Sequence, residues 1–94
     1  MTREYEIKIH EEALKSLSKI DRVRRGKLLD VIKQLAEDPY PPTSKALRGY
    51  ATRRRIRFSS YRIIYEVVAD QLIIHVLDAG NRKDVYKKYD RKWS

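Results

Sequence analysis

The chain has 94 residues, which suits one small domain, because each half alone would be too short to bury a core. It has no cysteine, which excludes disulfide scaffolds, Cys-ligated zinc and thiol catalysis. It shows neither a signal peptide nor an apolar run of the ~20 residues that span a bilayer, so we expect a cytoplasmic protein. Lys and Arg total 22 against 13 Asp and Glu, a net charge of +9 that favours a polyanionic partner.

The first part of the chain predicts a strand followed by two helices. Residues 4–10 alternate between apolar and polar positions, which is typical of a strand. Residues 11–20 and about 22–37 carry apolar side chains at helical spacing, and Asp21 is a suitable N-cap for the second helix. The apolar positions are Ala13, Leu14, Leu17 and Ile20 in the first helix and Leu28, Val31, Ile32 and Leu35 in the second. The two helices would form a hairpin around residues 19–21.

The second part predicts three strands in succession. Asp38-Pro39 ends the second helix, since the residue before a proline avoids the α region, and residues 45–49 lead into the sheet. The predicted strands are 53–58, 61–68 and 71–78, with turns at Ser59-Ser60 and Ala69-Asp70 and a break in the sheet at Gly80-Asn81. We therefore expect an α+β fold. It comprises an N-terminal strand, an α-helical hairpin, a three-stranded antiparallel meander and a short C-terminal segment. The helices would pack on one face of a single sheet and leave the other face available.

The positive charge is unevenly distributed. No acid occurs between Asp38 and Glu66, and seven basic residues lie between positions 45 and 62. They are Lys45, Arg48, Arg53, Arg54, Arg55, Arg57 and Arg62. A basic surface that only aids solubility would not need to exclude acids locally, so this stretch favours binding to phosphates.

The alternation of the strands predicts which of these side chains meet. Arg55 and Arg57 share a face of the first predicted meander strand, because side chains repeat every two residues. A hairpin brings Arg62 beside them if the register places it on the same face. Arg82 follows the third strand, and Tyr86 shares its face if that segment is helical. The result would be a basic site with one phenol.

Each of these residues also has a structural interpretation. Arg62 could pair with Glu66 or with Asp78 instead of binding a phosphate. Tyr86 could pack with Val85. Lys45, Arg48 and Arg53 either guide the polyanionic partner or are simply solvated. His75, between two apolar strand residues, is more typical of a hydrogen-bonded strand residue than of a catalyst, and His10 should be exposed.

Two motifs resemble a known family. The strand YRIIYEV at Tyr61–Val67 and the tail GNRKDVY at Gly80–Tyr86 are similar to segments of the RelE/ParE toxin superfamily of toxin–antitoxin systems, and within it to the RelE branch. The resemblance extends over nearly the whole chain and implies one RelE-like toxin domain over residues 1–94. It implies an endoribonuclease that cleaves messenger RNA at the ribosomal decoding site, through attack of the RNA 2′-OH on the adjacent phosphate, with neither metal nor cofactor.

The resemblance also implies residues and partners. Matched by motif, the catalytic residues would be Arg55, Arg57, Arg62, Arg82 and Tyr86, with RNA contacts from Lys45, Arg48 and Arg53. The best-studied members have lysine at the positions of Arg55 and Arg57, and a guanidinium is a poor general base, so proton abstraction would fall to Tyr86 or to solvent. The implied partners are mRNA, the ribosome and its rRNA, and an acidic, helical RelB-like antitoxin. Operator DNA would be bound only through the antitoxin complex.

Two other functions remain open from the sequence. One is a gyrase-inhibiting toxin of the ParE branch, which acts by binding. The other is an RNA- or ribosome-binding module without chemistry, which the arginines at the lysine positions keep possible. Presence of the whole set of basic residues and the tyrosine favours the endoribonuclease.

Overall fold

A computed structural model of the chain describes residues 4–81. The helices and strands are β1 (Glu6–Ile9), α1 (Glu11–Ser18), α2 (Arg22–Gln34), β2 (Ser44–Ala46), β3 (Arg53–Phe58), β4 (Tyr61–Val68) and β5 (Ile73–Asn81). The strands form one sheet in the order β1-β5-β4-β3-β2, and the two helices pack on one of its faces. The predicted α+β fold is confirmed.

The sheet has a strand that the sequence did not predict. The antiparallel meander of β3, β4 and β5 is present, and β1 joins it in parallel to β5, from Glu6 opposite Ile73 to Ile9 opposite Val76. The segment expected only to lead into the sheet contains β2, which pairs antiparallel with β3 through Lys45 opposite Arg55. A pattern of three residues after two prolines is too short to predict a strand. These residues form β2 because they pair with β3.

Strand β5 is longer than predicted and displaced toward the C-terminal side. A single 3₁₀ turn over Ala69–Gln71 precedes it, and Leu72 then adopts a left-handed conformation with φ of 55°. The predicted break at Gly80-Asn81 is wrong, because Gly80 lies opposite Arg62 and Asn81 opposite Tyr61. The cross-strand hydrogen bonds to β4 stabilise this part of β5 by more than the glycine destabilises it. A local sequence pattern does not show which strand will lie beside it, so the continuation of β5 was not predicted.

The helices begin as predicted and end earlier. Asp21 caps α2, since its Oδ2 accepts a hydrogen bond from the Arg24 backbone N–H at 3.2 Å, and this bond lowers the pKa of the Asp21 carboxyl. Helix α2 ends at Gln34 rather than near 37, because the following backbone tightens: Leu35 and Ala36 donate to carbonyls three residues back, both at 3.1 Å.

The core lies between the helices and the sheet. From the helices it contains Ala13, Leu17, Leu28, Ile32 and Leu35, and from the sheet Ile56, Ile63, Tyr65, Val67, Ile74, Val76 and Ala79. Val31 and Ile20 pack against its border as predicted, but Leu14 does not belong to it, since 52% of Leu14 is exposed. Leu14 lies about 100° around the helix from Ala13, whereas Leu17 lies within about 40° of it, so Leu14 is at the edge of the apolar stripe and away from the sheet. No helix among the described residues is long and apolar enough to cross a membrane.

Two leucines on the helices give a matched test of this packing. Leu28→Ala should lower the free energy of unfolding by about 2–5 kcal/mol, because Leu28 is completely buried and its truncation leaves a cavity. Leu14→Ala removes the same atoms from an exposed position and should change stability by less than about 1 kcal/mol. Urea unfolding of both variants measures the difference, and equal losses would contradict the assignment of Leu14 to the surface.

Candidate nucleic-acid site on the open face of the sheet

The centre of the site is a pair of arginines on adjacent strands. The turn at Ser59-Ser60 pairs Phe58 with Tyr61, which places Arg57 directly opposite Arg62. Ile56 and Ile63, the next pair, point to the helices and are buried in the core. Because neighbouring positions alternate, Arg57 and Arg62 lie on the face of the sheet away from the helices. The predicted meeting of these two side chains is thus present in the structure.

Two further basic side chains share this face. Arg55 lies two residues before Arg57 on β3, and Lys45 on β2 lies opposite Arg55. Lys45 is exposed and Arg55 is half-buried. The open face therefore presents two cross-strand pairs of basic residues, Lys45 with Arg55 and Arg57 with Arg62. The two pairs are ~7 Å apart, which is the length of two residues along a strand.

The two arginines of the central pair differ in accessibility. Arg57 is exposed, whereas only 3% of the Arg62 surface is accessible. The other cross-strand neighbour of Arg62 is Gly80, which has no side chain. Two arginines directly opposite one another concentrate positive charge at this point of the open face, which suits the binding of a negatively charged group.

Arg53 shares the open face but has other contacts. Its Nε lies 3.3 Å from Glu66 Oε2, and its guanidinium lies 4.7 Å from the centre of the Tyr50 ring. Glu66 thus pairs with Arg53, whereas the sequence also allowed Glu66 to pair with Arg62. Arg53 lies four residues, or ~13 Å, from Arg57 along β3, so it belongs to the far end of the basic face.

Arg54 lies on the opposite face, as its position in the strand predicts. Its Nη2 donates to Ser44 Oγ at 2.9 Å, and its guanidinium lies 5.1 Å from the Tyr40 ring centre. Beside it the Tyr65 hydroxyl donates to the Pro39 carbonyl at 2.8 Å. Burial raises the pKa of Tyr65, and hydrogen bonding with Ser44 and Arg54 offsets part of that rise. Arg54 therefore joins the loop before β2 to the sheet and has a structural role.

Among the described residues, Arg48 lies apart from the central pair. Arg48 is exposed in the turn between β2 and β3, where Tyr50 donates its backbone N–H to Leu47 at 3.1 Å. Arg82 and Tyr86 lie outside the described residues. The structure thus brings together Arg55, Arg57, Arg62 and Lys45 among the eight predicted site residues.

Some contacts could not be predicted from local patterns. His10 Nε2 and His75 Nδ1 share a hydrogen bond of 3.0 Å, although 65 positions separate them in the sequence. The prediction that His75 is a hydrogen-bonded strand residue and that His10 is exposed is confirmed, but the partner of each was unknown. A cavity of about 510 Å³ also lies where β3 begins and β4 ends, bordered by Tyr40, Arg53 and Glu66.

Comparison with known proteins identifies the family. Residues 7–86 match the family of ParE toxins of type II toxin–antitoxin systems. The chain is 35% identical over 86 residues to an Escherichia coli protein named as RelE-like toxin, with 87% of this chain and 90% of that protein covered. The chain belongs to the RelE/ParE toxin superfamily.

Individual relatives place this superfamily member in the RelE branch. It is 28% identical to the E. coli K12 mRNA interferase toxin RelE, over 89% of this chain and 92% of that protein. Among solved structures, the archaeal RelE–RelB complex from Pyrococcus horikoshii matches with a TM-score of 0.74 and 28% identity, covering 87% of this chain and 97% of that one. The intact E. coli RelBE complex matches with a TM-score of 0.72 and 28% identity, covering 82% and 95%.

Two arginines on opposite faces of β3 separate the structural role from the site. Arg54→Gln should lower the free energy of unfolding by about 1–3 kcal/mol, because it removes hydrogen bonds to the buried Ser44. Arg57→Gln, at an exposed position opposite another arginine, should change stability by no more than about 0.5 kcal/mol. Thermal unfolding compares the two variants, and a larger loss at Arg57 would contradict this assignment of roles.

Proposed function

We propose that this RelE-branch toxin is an endoribonuclease that cleaves messenger RNA bound to the ribosome. The observation that carries the proposal is the cross-strand pair of Arg57 and Arg62, extended by Arg55 and Lys45 on the same open face. Several cations on one rigid sheet face suit a chain of phosphates. The mRNA interferase named among the relatives supports the same activity.

The proposed reaction needs charge stabilisation more than it needs a strong base. The RNA 2′-oxygen forms a bond to the adjacent phosphorus, the bond from phosphorus to the 5′-oxygen breaks, and a 2′,3′-cyclic phosphate and a 5′-hydroxyl result. Negative charge concentrates on the phosphoryl oxygens in the transition state. Guanidinium groups held by paired strands can stabilise that charge without moving.

The arginines and Tyr86 have different roles in the proposed reaction, because they differ in their ability to accept a proton. A guanidinium with a pKa above ~12 stays charged and cannot accept the 2′-proton near neutral pH. We therefore assign Arg55, Arg57, Arg62 and Arg82 to phosphate binding and charge stabilisation. Tyr86 then takes the 2′-proton, or it stacks on or orients a base while solvent accepts the proton. In either case the 5′-oxygen takes a proton from solvent as it leaves. Lys45, Arg48 and Arg53 would hold the RNA on either side of the scissile phosphate.

A protein partner completes the proposed system. The solved relatives from P. horikoshii and E. coli are complexes of RelE with RelB. We propose that an acidic, helical RelB-like antitoxin binds this chain and opposes its net charge of +9, and that operator DNA is reached only through that complex. Co-expression with the neighbouring small gene followed by co-purification tests the pairing.

A second candidate function follows from the family match itself. The matching family is that of ParE toxins, and a ParE-like member would inhibit gyrase by binding. DNA supercoiling assays with purified gyrase discriminate between the two functions. Inhibition of supercoiling without cuts in ribosome-bound mRNA would favour this second candidate.

Arg57→Ala should slow cleavage of ribosome-bound mRNA by ~10²–10³-fold, because the lost guanidinium interacts more strongly with the transition state than with the ground state. Arg57 is exposed, so its truncation leaves the fold intact, whereas Arg62→Ala removes a buried side chain and requires a parallel unfolding measurement. Single-turnover cleavage on programmed ribosomes measures the chemical step.

Lys33→Ala is the matched control, because Lys33 is an exposed cation in the last turn of α2 and should leave the rate unchanged. Tyr86→Phe in the same assay separates the roles of the phenol: a loss of ~10²–10⁴ indicates proton transfer, and a near wild-type rate indicates stacking. Cleavage by Arg57→Ala at the wild-type rate would refute the role of the central pair.

A further inference from the structure

A second group of basic residues surrounds the turn between the two helices. We call it the hairpin tip, and it comprises Lys15, Lys19, Arg22, Arg24, Arg25 and Lys27. Asp21 is the only acid between Glu12 and Asp30, so this short segment has a net charge of about +5. All six basic residues are exposed except Arg25, which is half-buried.

Acidic partners neutralise only part of this charge. Asp21 Oδ1 lies 3.1 Å from Arg24 Nη1, and Glu11 lies 3.7 Å from Lys15 Nζ. Within residues 4–81, the other four basic side chains of the hairpin tip form no ion pair. Their charge is therefore available to a partner of opposite sign.

The location of these charges works against the stability of the helix. The first turn of α2 contains Arg22, Arg24 and Arg25 and no acid. A helix N-terminus carries partial positive charge, so cations there are unfavourable, and acids are the residues usually found. Three arginines at such a position do not stabilise the helix, which favours the interpretation that they bind a partner.

The hairpin tip lies toward the end of the sheet that bears Arg57 and Arg62. The C-terminal end of α2 is fixed at the other end, because Tyr5 donates its backbone N–H to Ala36 at 2.8 Å, one residue before Glu6 pairs with Ile73. Helix α2 has 13 residues and is ~20 Å long, so it begins toward the opposite end. There Ser16 of α1 donates to Asp78, two residues before Gly80 and its partner Arg62.

We propose that the hairpin tip binds the phosphate backbone of double-helical RNA while the open face of the sheet acts on a single strand. This inference deepens the proposed function and rests on it, since ribosomal RNA supplies duplexes beside the mRNA. The wide, shallow minor groove of an A-form duplex has phosphates on both borders, and the exposed cations at the turn between two helices suit contacts to such phosphates.

The apolar residues that lie among the cations of the hairpin tip favour RNA over an acidic protein as its partner. Val23 is 69% exposed and Leu14 is 52% exposed, but they are isolated among charged residues. The apolar stripe of α2 is already packed on the sheet through Leu28 and Ile32. A partner helix would need a continuous apolar surface, whereas an RNA backbone needs only the cations.

The test measures binding of the purified full chain to a blunt 20-base-pair RNA duplex by fluorescence anisotropy. The tip variant is Arg22→Glu with Lys27→Glu, and the control is Lys8→Glu with Lys33→Glu, which has the same net charge and changes exposed residues away from the tip. At about 0.1 M salt, the tip variant should lose roughly tenfold or more in affinity. The slope of the logarithm of its affinity against the logarithm of the salt concentration should be smaller in magnitude by about 2. The control should remain within about threefold of wild type.

Stability and the open face provide two internal checks. Arg22→Glu places an acid in the first turn of α2, so the Tm of the tip variant should not fall, and lost binding cannot be assigned to unfolding. Arg57→Ala should impair mRNA cleavage and leave duplex affinity within about twofold.

The outcomes separate this inference from the proposed function. Equal losses in the tip variant and the control would show that net charge alone matters and would overturn the inference. Retained RNA affinity with lost binding to an acidic antitoxin would also overturn it. A wild-type chain that binds the duplex through its tip but leaves ribosome-bound mRNA uncut would refute the proposed function and uphold the inference.

Discussion

The register of the β3–β4 hairpin determines what the open face of this protein presents. Ser59 and Ser60 form a two-residue turn in which Ser59 has φ of 57°, and this turn fixes Phe58 opposite Tyr61. A positive φ at the first of the two turn residues matches the twist of the flanking strands. With β4 held by β5, a slip of β3 by one residue would move Arg57 to the helix side and Ile56 to the open face. The core and the candidate site are thus specified by the same pairing.

Strand β3 combines a core strand with a basic surface in six residues. Ile56 and Phe58 face the helices, and Arg55 and Arg57 face away from them. Arg54 breaks the simple alternation of apolar and charged residues, yet it lies on the helix side. Two contacts make this possible. The Ser44 hydroxyl accepts a hydrogen bond that water would otherwise accept, and the Tyr40 ring lies beside the charged guanidinium in a cation–π contact.

Local patterns predicted the parts of the fold that depend on alternation and helical spacing. The bounds of β3 and β4 agree with the structure, as do the Asp21 cap and the meeting of Arg57 with Arg62. The errors concern features that depend on distant partners. Strand β2 exists because β3 is beside it, and Gly80 stays in β5 because Arg62 is across from it. Leu14 is exposed because the sheet contacts the side of α1 that bears Ala13 and Leu17. The basic residues of the hairpin tip lie within 13 consecutive positions, so the sequence contained this signal, but attention to the apolar spacing of the helices passed over it.

The irregular pairing near the middle of β5 has a consequence for the shape of the site. Tyr65 lies opposite Val76 and Ile64 opposite Asp78, so Leu77 is an extra residue in this strand. One extra residue exchanges the two faces of everything that follows, and here it directs Ala79 into the core and brings Gly80 beside Arg62. Regular pairing of the same sequence would have placed Ala79 opposite Arg62, with a methyl group beside the guanidinium side chain. The extra residue thus determines which side chain of β5 borders the deeply buried Arg62, and deletion of Leu77 would remove the bulge while Gly80 stays opposite Arg62.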